Sequence, residues 1–263
     1  MTLTRLGRIL LITAAAIITV TARALCISPV KPPETLTYKV MFKWGLIHKN
    51  AGSATLRLQS APHGELKAVL TASSAPWADR IYKLRDTLVS YIDPATMQPR
   101  LYERIAHEDG KYSHDIVTFE RRGNTVSGHA IKQRRKKPGQ PMSVRETDLL
   151  STGTTVDMVS AFYYLRSLDF NTITPGSETE VWIFSGSKKE RLRFKYIGKE
   201  QLKINDSLRP SYHVSFTFTT DGSKKSSDDI DTWLSEEKPH VPLKLQGSLP
   251  VGKIQCFLEQ SGD

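Results

Sequence analysis

The most concentrated chemistry in this sequence is cationic: Lys132, Arg134, Arg135, Lys136 and Lys137 precede Pro138-Gly139 with no acid among them. A basic surface loop of this kind binds anionic headgroups or an acidic polysaccharide through contacts that salt screens. It serves equally as a solvated connection that keeps a hairpin soluble. Two histidines form a second constellation. If Asp109-Gly110 closes a two-residue hairpin, Glu108 faces Lys111, His107 faces Tyr112, and His114 lies diagonally from His107 on one face. Diagonal residues sit about 7–8 Å apart, near enough for two imidazoles to meet on a metal. No third ligand falls on that face, so no metal and no cofactor is expected. Cys26 and Cys256 are the two cysteines. In an exported chain they are a disulfide candidate, while the alternation of Ile254, Cys256 and Leu258 reads equally well as a core thiol.

The usual enzymatic signatures do not occur. There is no Walker phosphate loop, dinucleotide glycine fingerprint, zinc-protease helix pair, Gly-x-Ser-x-Gly elbow or Cys-x-x-Cys pair. No catalytic residue is assigned, and the chain reads as non-enzymatic. Trp77 follows Pro76 at a strand-to-loop transition; with Ile81, Tyr82 and Leu84 it would present an apolar lip at a sheet opening. Trp44, Trp182 and Trp233 have apolar neighbours two residues away and read as core.

These residues need a compartment and a scaffold. The 263 residues carry 37 Lys+Arg against 27 Asp+Glu, a formal charge of +10 that invites a nucleic-acid reading. The N-terminus argues otherwise. Arg5 and Arg8 precede an uncharged run from Ile9 to Ala22, and Ala22-Arg23-Ala24 places small residues where a signal peptidase reads. Residues 1–24 are therefore expected to be a signal peptide, cleaved near Ala24, that delivers the protein to the periplasm. The apolar run is shorter than the roughly 20 residues a span needs. No later run reaches that length, so the mature form is expected to have no transmembrane helix and no nucleic-acid partner.

Residues 25–36, with Pro29, Pro32 and Pro33, read as an extended leader. Residues 37–263 read as one β-rich domain. Tyr38, Val40, Phe42 and Trp44 alternate with Lys39, Met41 and Lys43, and similar runs follow at 66–73, 85–92, 100–108, 111–120, 125–131, 178–184, 189–197, 201–204, 212–220, 230–235, 241–249 and 253–258. Turn pairs such as Asp109-Gly110 and Gly123-Asn124 separate them. The expected fold is mainly β, a large curved antiparallel sheet forming an incomplete or closed β-barrel. One amphipathic helix, about 155–168, would cover or plug it: Met158, Ala161, Phe162, Leu165 and Leu168 share a face, and Thr154 with Asp157 makes a capping box. Phe162 and Leu165, with Trp77 and Tyr82, are the candidate ligand-binding residues.

Longer segments carry a resemblance. Tyr38 to Trp44-Gly45 followed by Ala51-Gly52, then Asp148-Leu149-Leu150-Ser151 and Ser160 to Arg166, then Trp233-Leu234-Ser235 with Pro242 to Leu245 and Val251 to Ile254, resemble in order the domain of unknown function 3108 family of exported bacterial proteins. The stretch between Ser151 and Val159 departs from that pattern as an insertion. More distantly the family resembles the lipoprotein carriers LolA and LolB and YmcC-like envelope proteins. The resemblance implies an incomplete antiparallel barrel with a helical plug, some members of which hold an acyl chain. The leading functional expectation is thus a periplasmic protein that binds an amphiphile, whether a lipid, an acyl chain or a lipid-linked glycan, in the concavity of its sheet. The alternative is a cell-envelope interaction module that binds glycan or protein through the basic loop. A hydrolase of an envelope polymer would need paired carboxylates in a cleft.

Overall fold

The computed structural model describes residues 30–204, 206–223, 226–227, 229–249 and 251–262. The signal segment and Cys26 lie outside these residues. Among the described residues there are fifteen strands and one α-helix: β1 (Glu34–Trp44), β2 (Ile47–Ser60), β3 (Leu66–Ser74), β4 (Leu84–Ile92), β5 (Pro99–Glu108), β6 (Lys111–Arg122), β7 (Thr125–Arg135), β8 (Ser143–Thr152), β9 (Thr155–Val156), α1 (Ser160–Arg166), β10 (Glu178–Phe184), β11 (Lys189–Ile204), β12 (Ser207–Thr220), β13 (Ile230–Ser235), β14 (Pro242–Ser248) and β15 (Lys253–Gly262). The period-2 pattern dictates their faces. On β6, Ser113, Asp115, Val117 and Phe119 are buried, while the residues between them are more exposed.

All strands join one sheet in the order β8-β7-β6-β5-β4-β3-β2-β1-β15-β14-β13-β12-β11-β10-β9. Neighbours are antiparallel except the short parallel pair β9 and β10. The first and last strands lie side by side, from Thr35↔Gly262 to Lys43↔Lys253. The two sheet edges are therefore β8 and β9, which only Gly153-Thr154 separate in sequence. A sheet whose edges are consecutive in the chain must curl back on itself, and this one forms a barrel with one unsealed seam.

At the seam the edges overlap rather than pair. The Phe184 ring at the end of β10 stacks on Phe119 of β6, with centroids 5.5 Å apart and planes at 15°. Gly128 of β7 makes room for it, because a Cβ there would come within 2.6 Å of the ring. Gly128→Ala should therefore destabilise the fold by about 1–3 kcal/mol through overpacking, read as a lowered urea midpoint. Adding Phe184→Leu should restore part of the loss; an unchanged midpoint for the single variant would refute tight packing at the seam.

The connections divide between two ends. The β1–β2, β3–β4, β5–β6, β7–β8, β10–β11, β12–β13 and β14–β15 turns lie at one end, the rim, and the alternate turns lie at the other, the floor. Helix α1 closes the floor, where Arg166 reaches Glu34 at the start of β1 and the Pro239 carbonyl in the β13–β14 connection.

Four expectations need correction. The helix spans Ser160–Arg166 instead of 155–168, because β-branched Thr155 and Val156 pair with Trp182 and Ile183 as β9. Its capping box is shifted accordingly: Asp157 Oδ1 accepts the Val159 and Ser160 N–H groups at 2.7 and 2.8 Å, and Ser160 Oγ accepts the Asp157 N–H at 2.8 Å. β1 begins at Glu34, so the last residues of the supposed leader are strand and Leu36 is core. Trp44 is 54% exposed because the β1–β2 hairpin runs past its neighbours. Trp233, by contrast, is buried as expected, in a small cluster with Leu202 and Leu243 on the outer face, stacked on His213.

Candidate functional site

Helix α1 is too short to fill the barrel it enters. Met158, Ala161, Phe162 and Leu165 face Phe216, Phe218, Ile230 and Leu245 across a cavity of about 190 Å³ in which every lining side chain is apolar. Phe162 meets Phe216 edge to face at 6.5 Å, and Phe216 meets Phe218 likewise at 5.8 Å. An apolar cavity of about 150 Å³ already stays dry and accepts benzene. This one is large enough for a single apolar group, such as the end of an acyl chain.

The opposite interior wall, on β4 to β7, is polar. Arg104 donates to Asp86 at 2.7 Å and also to Glu108. Burial raises the Asp86 carboxyl against the opposing pull of Arg104. Lys132 pairs with buried Asp115 at 3.0 Å. Deeper in, Ser90 donates to Asp157 Oδ2 at 2.6 Å; burial pushes that carboxyl up to about 6, with the Ser90 hydrogen bond opposing. The interior is thus amphipathic across its width. The outer face offers two further grooves, of about 330 Å³ beside Thr71 and His107 and about 320 Å³ beside Arg193 and His213. Both are open troughs lined chiefly by outward side chains of neighbouring strands.

Of the four candidate ligand-binding residues, Phe162 and Leu165 line the apolar cavity and Trp77 and Tyr82 do not. Trp77 folds against the β1–β2 hairpin, its indole N–H donating to the Asn50 carbonyl and Lys49 lying 4.5 Å above its ring. Tyr82 is exposed at the rim and donates to Glu108 Oε2 at 3.1 Å. The reason is local: a 3₁₀ turn at Ala78–Arg80 and the Arg85–Asp79 pair at 2.7 Å hold this loop outside the barrel.

The basic run is not one loop. Lys132, Arg134 and Arg135 belong to β7, where alternation sends Lys132 inward to Asp115 and sets Arg135 5.6 Å over the Tyr112 ring. Only Lys136 and Lys137 stand in the turn. The β5–β6 hairpin has the register derived from Asp109-Gly110, but His114 is engaged with Glu103 at 2.6 Å and His107 packs on Tyr112. Among the described residues no three His, Cys, Asp or Glu side chains are placed to hold a metal. Cys256 is partly buried against the core between Val40 and Leu245 in the ladder, and burial pushes its thiol up to about 11.

Sequence reading missed Asp86, Arg104 and Asp115, and took Asp157 only as a capping residue. A signal was present for two of them. Asp115 shares its strand phase with Val117 and Phe119, and Asp86 shares one with Leu88 and Ile92. A charge on the apolar phase of a strand must find a partner inside.

Fold and interior together define a class: a single antiparallel sheet curled into a cup, floored by a short helix and half polar, half apolar within. The chain belongs to the family described as protein of unknown function DUF3108, which it matches over residues 37–259. No curated relative matches the sequence. Among solved structures, it is similar in fold to a β-barrel-like DUF1849 protein from Brucella abortus, with 9% identity and a TM-score of 0.59 over 89% of this chain and 98% of that one. Weaker similarity, at a TM-score of 0.34, extends to a protein described as exported with a YmcC-like fold from Bacteroides fragilis, with 8% identity over 91% of this chain and 100% of that one. A protein described as a lipoprotein from Parabacteroides distasonis also scores 0.34, with 9% identity over 90% of this chain and 99% of that one. No helix among the described residues is long and apolar enough to cross a membrane.

Proposed function

We propose that this is an exported, non-enzymatic binding protein that takes the apolar tail of an amphiphile into the cavity beside α1. Export follows from the signal-type sequence of residues 1–24. The observation that carries the binding reading is the cavity of about 190 Å³ with wholly apolar lining, set opposite the polar wall of Asp86, Arg104 and Glu108. Apolar burial at about 25 cal/mol per Å² supplies the affinity, and the polar wall gives a headgroup or linker hydrogen-bonding partners. The cavity's size favours capture of a chain end over engulfment of a whole lipid.

Single-chain lysophospholipids and fatty acids of graded length test this reading. They should raise the melting temperature of the protein, and Ala161→Leu, which fills the cavity from the helix side, should abolish the shift while leaving the unliganded protein folded. A panel that shifts neither protein, together with a clean unliganded mass by native mass spectrometry, would refute the proposal.

A further inference from the structure

We infer that the rim of the barrel docks on an anionic lipid surface. The large apolar side chains that the fold leaves exposed are not scattered over the barrel. Trp44, Leu46 and Ile47 stand on the β1–β2 hairpin, Ile81 (75% exposed) on the β3–β4 loop, Met142 in the β7–β8 turn and Val251 in the β14–β15 turn. These belong to four separate connections, all at the rim. Tyr82 and Leu249 lie at the same rim and Val144 at the rim end of β8; of the large apolar side chains exposed among the described residues, only Leu150, Ile197 and Leu208 lie elsewhere.

Charge follows the same axis. The segment Lys43 to Lys49 has two lysines and no acid, and Arg134 to Lys137 has four cations with no acid before Glu146. Three rim acids are engaged, Asp79 with Arg85, Glu108 with Arg104 and Asp221 with Lys189, while exposed Asp109 and Asp229 have no ion pair among the described residues. The floor connections carry Glu65, Asp93, Asp169, Glu236 and Glu237, with Lys238 among them. Among the described residues, one end of the barrel therefore presents apolar tips beside cations that have no acid partner, while at the other end Glu65 and Glu236 pair with Arg100 and Lys199 and Asp93, Asp169 and Glu237 are left without an ion pair.

That combination fits one partner best. Apolar tips on separate turns, with cations between them, do not make the continuous patch that a rigid protein surface would cover. They suit a fluid, negatively charged interface, in which apolar side chains enter the headgroup–acyl boundary and lysines sit at the phosphates. Trp77, with Lys49 over its ring beside the same hairpin, has the amphipathic character that places tryptophan at such boundaries. β1 begins and β15 ends at the floor, so the described rim is built from turns alone. Docking of the rim requires no occupant in the cavity.

Flotation with phosphatidylcholine vesicles, with and without phosphatidylglycerol, tests it. The protein should float with the anionic vesicles and only weakly with the zwitterionic ones. Lys136→Gln with Lys137→Gln should weaken binding by about tenfold or more and lessen its salt dependence. Leu46→Ser with Ile81→Ser should also weaken it by about tenfold or more, with the circular dichroism spectrum unchanged because both side chains are exposed. Ala161→Leu, which fills the cavity, should bind vesicles as the wild type does, separating this inference from the cavity reading. Absent flotation, equal binding to both vesicle types, or binding that neither double variant changes would overturn it.

Discussion

Glu34→Ala should cost about 3–5 kcal/mol of folding stability, the loss typical of breaking a buried ion pair from one side. Arg166 is the reason. Its side chain is fully buried, its two terminal nitrogens meet the Glu34 carboxylate at 2.8 and 2.6 Å, and its Nε donates to the Pro239 carbonyl at 3.2 Å. The pair joins the start of β1, the end of α1 and the β13–β14 connection, so it fixes the floor of the cup. Removing the carboxylate strands a guanidinium in the interior, which costs far more than the pair itself contributes. Glu34→Leu combined with Arg166→Met should accordingly recover most of the loss, because an apolar replacement strands no charge. Urea denaturation reads all three proteins. A cost below about 1 kcal/mol for Glu34→Ala would show that water reaches the site.

The second large effect is a pH dependence centred on Asp157. Burial raises its carboxyl from 3.8 to about 6, so the folded chain holds a proton there that the unfolded chain has already released. Stability from this group is therefore fully present below about pH 4, falls as pH rises towards 6, and is lower by about 3 kcal/mol above that window. Asp157→Asn should remove the slope. Its carbonyl can still accept the Val159 and Ser160 N–H groups, and its amide can donate to the Ser90 hydroxyl. The difference between wild-type and Asn stability, measured by denaturation from pH 4 to 7.5, isolates the group from other carboxylates. A flat difference curve would refute a proton on Asp157. Asp157→Ala should be destabilising at every pH, since it removes the helix cap and leaves Ser90 without its acceptor.

Both effects involve charges that a reading of the chain alone passes over. Asp157 stood in the sequence as the second member of a box begun by Thr154, and only the pairing of Thr155 and Val156 with β10 moves the cap to Asp157 itself. Arg166 lies in a segment matched to the family's helix, yet its partner is 132 residues away. Lys132 was legible as a cation but not as an inward one, because its direction depends on where β7 begins and what it faces. Phe162 and Leu165, by contrast, were legible because the helical period places them on one apolar face.

The sequence by itself determined what is local: strands from alternation, hairpins from turn pairs, the amphipathic face of one helix and a mainly β curved sheet. Local patterns carry these because φ/ψ preference and period act within a few residues. The tertiary structure decided the rest: the adjacency of β1 and β15, the overlapping seam at Gly128, the amphipathic interior, and the gathering of four exposed turn tips on one rim. These depend on twist accumulated across fifteen strands and on which distant side chains then meet. No window of sequence contains that sum.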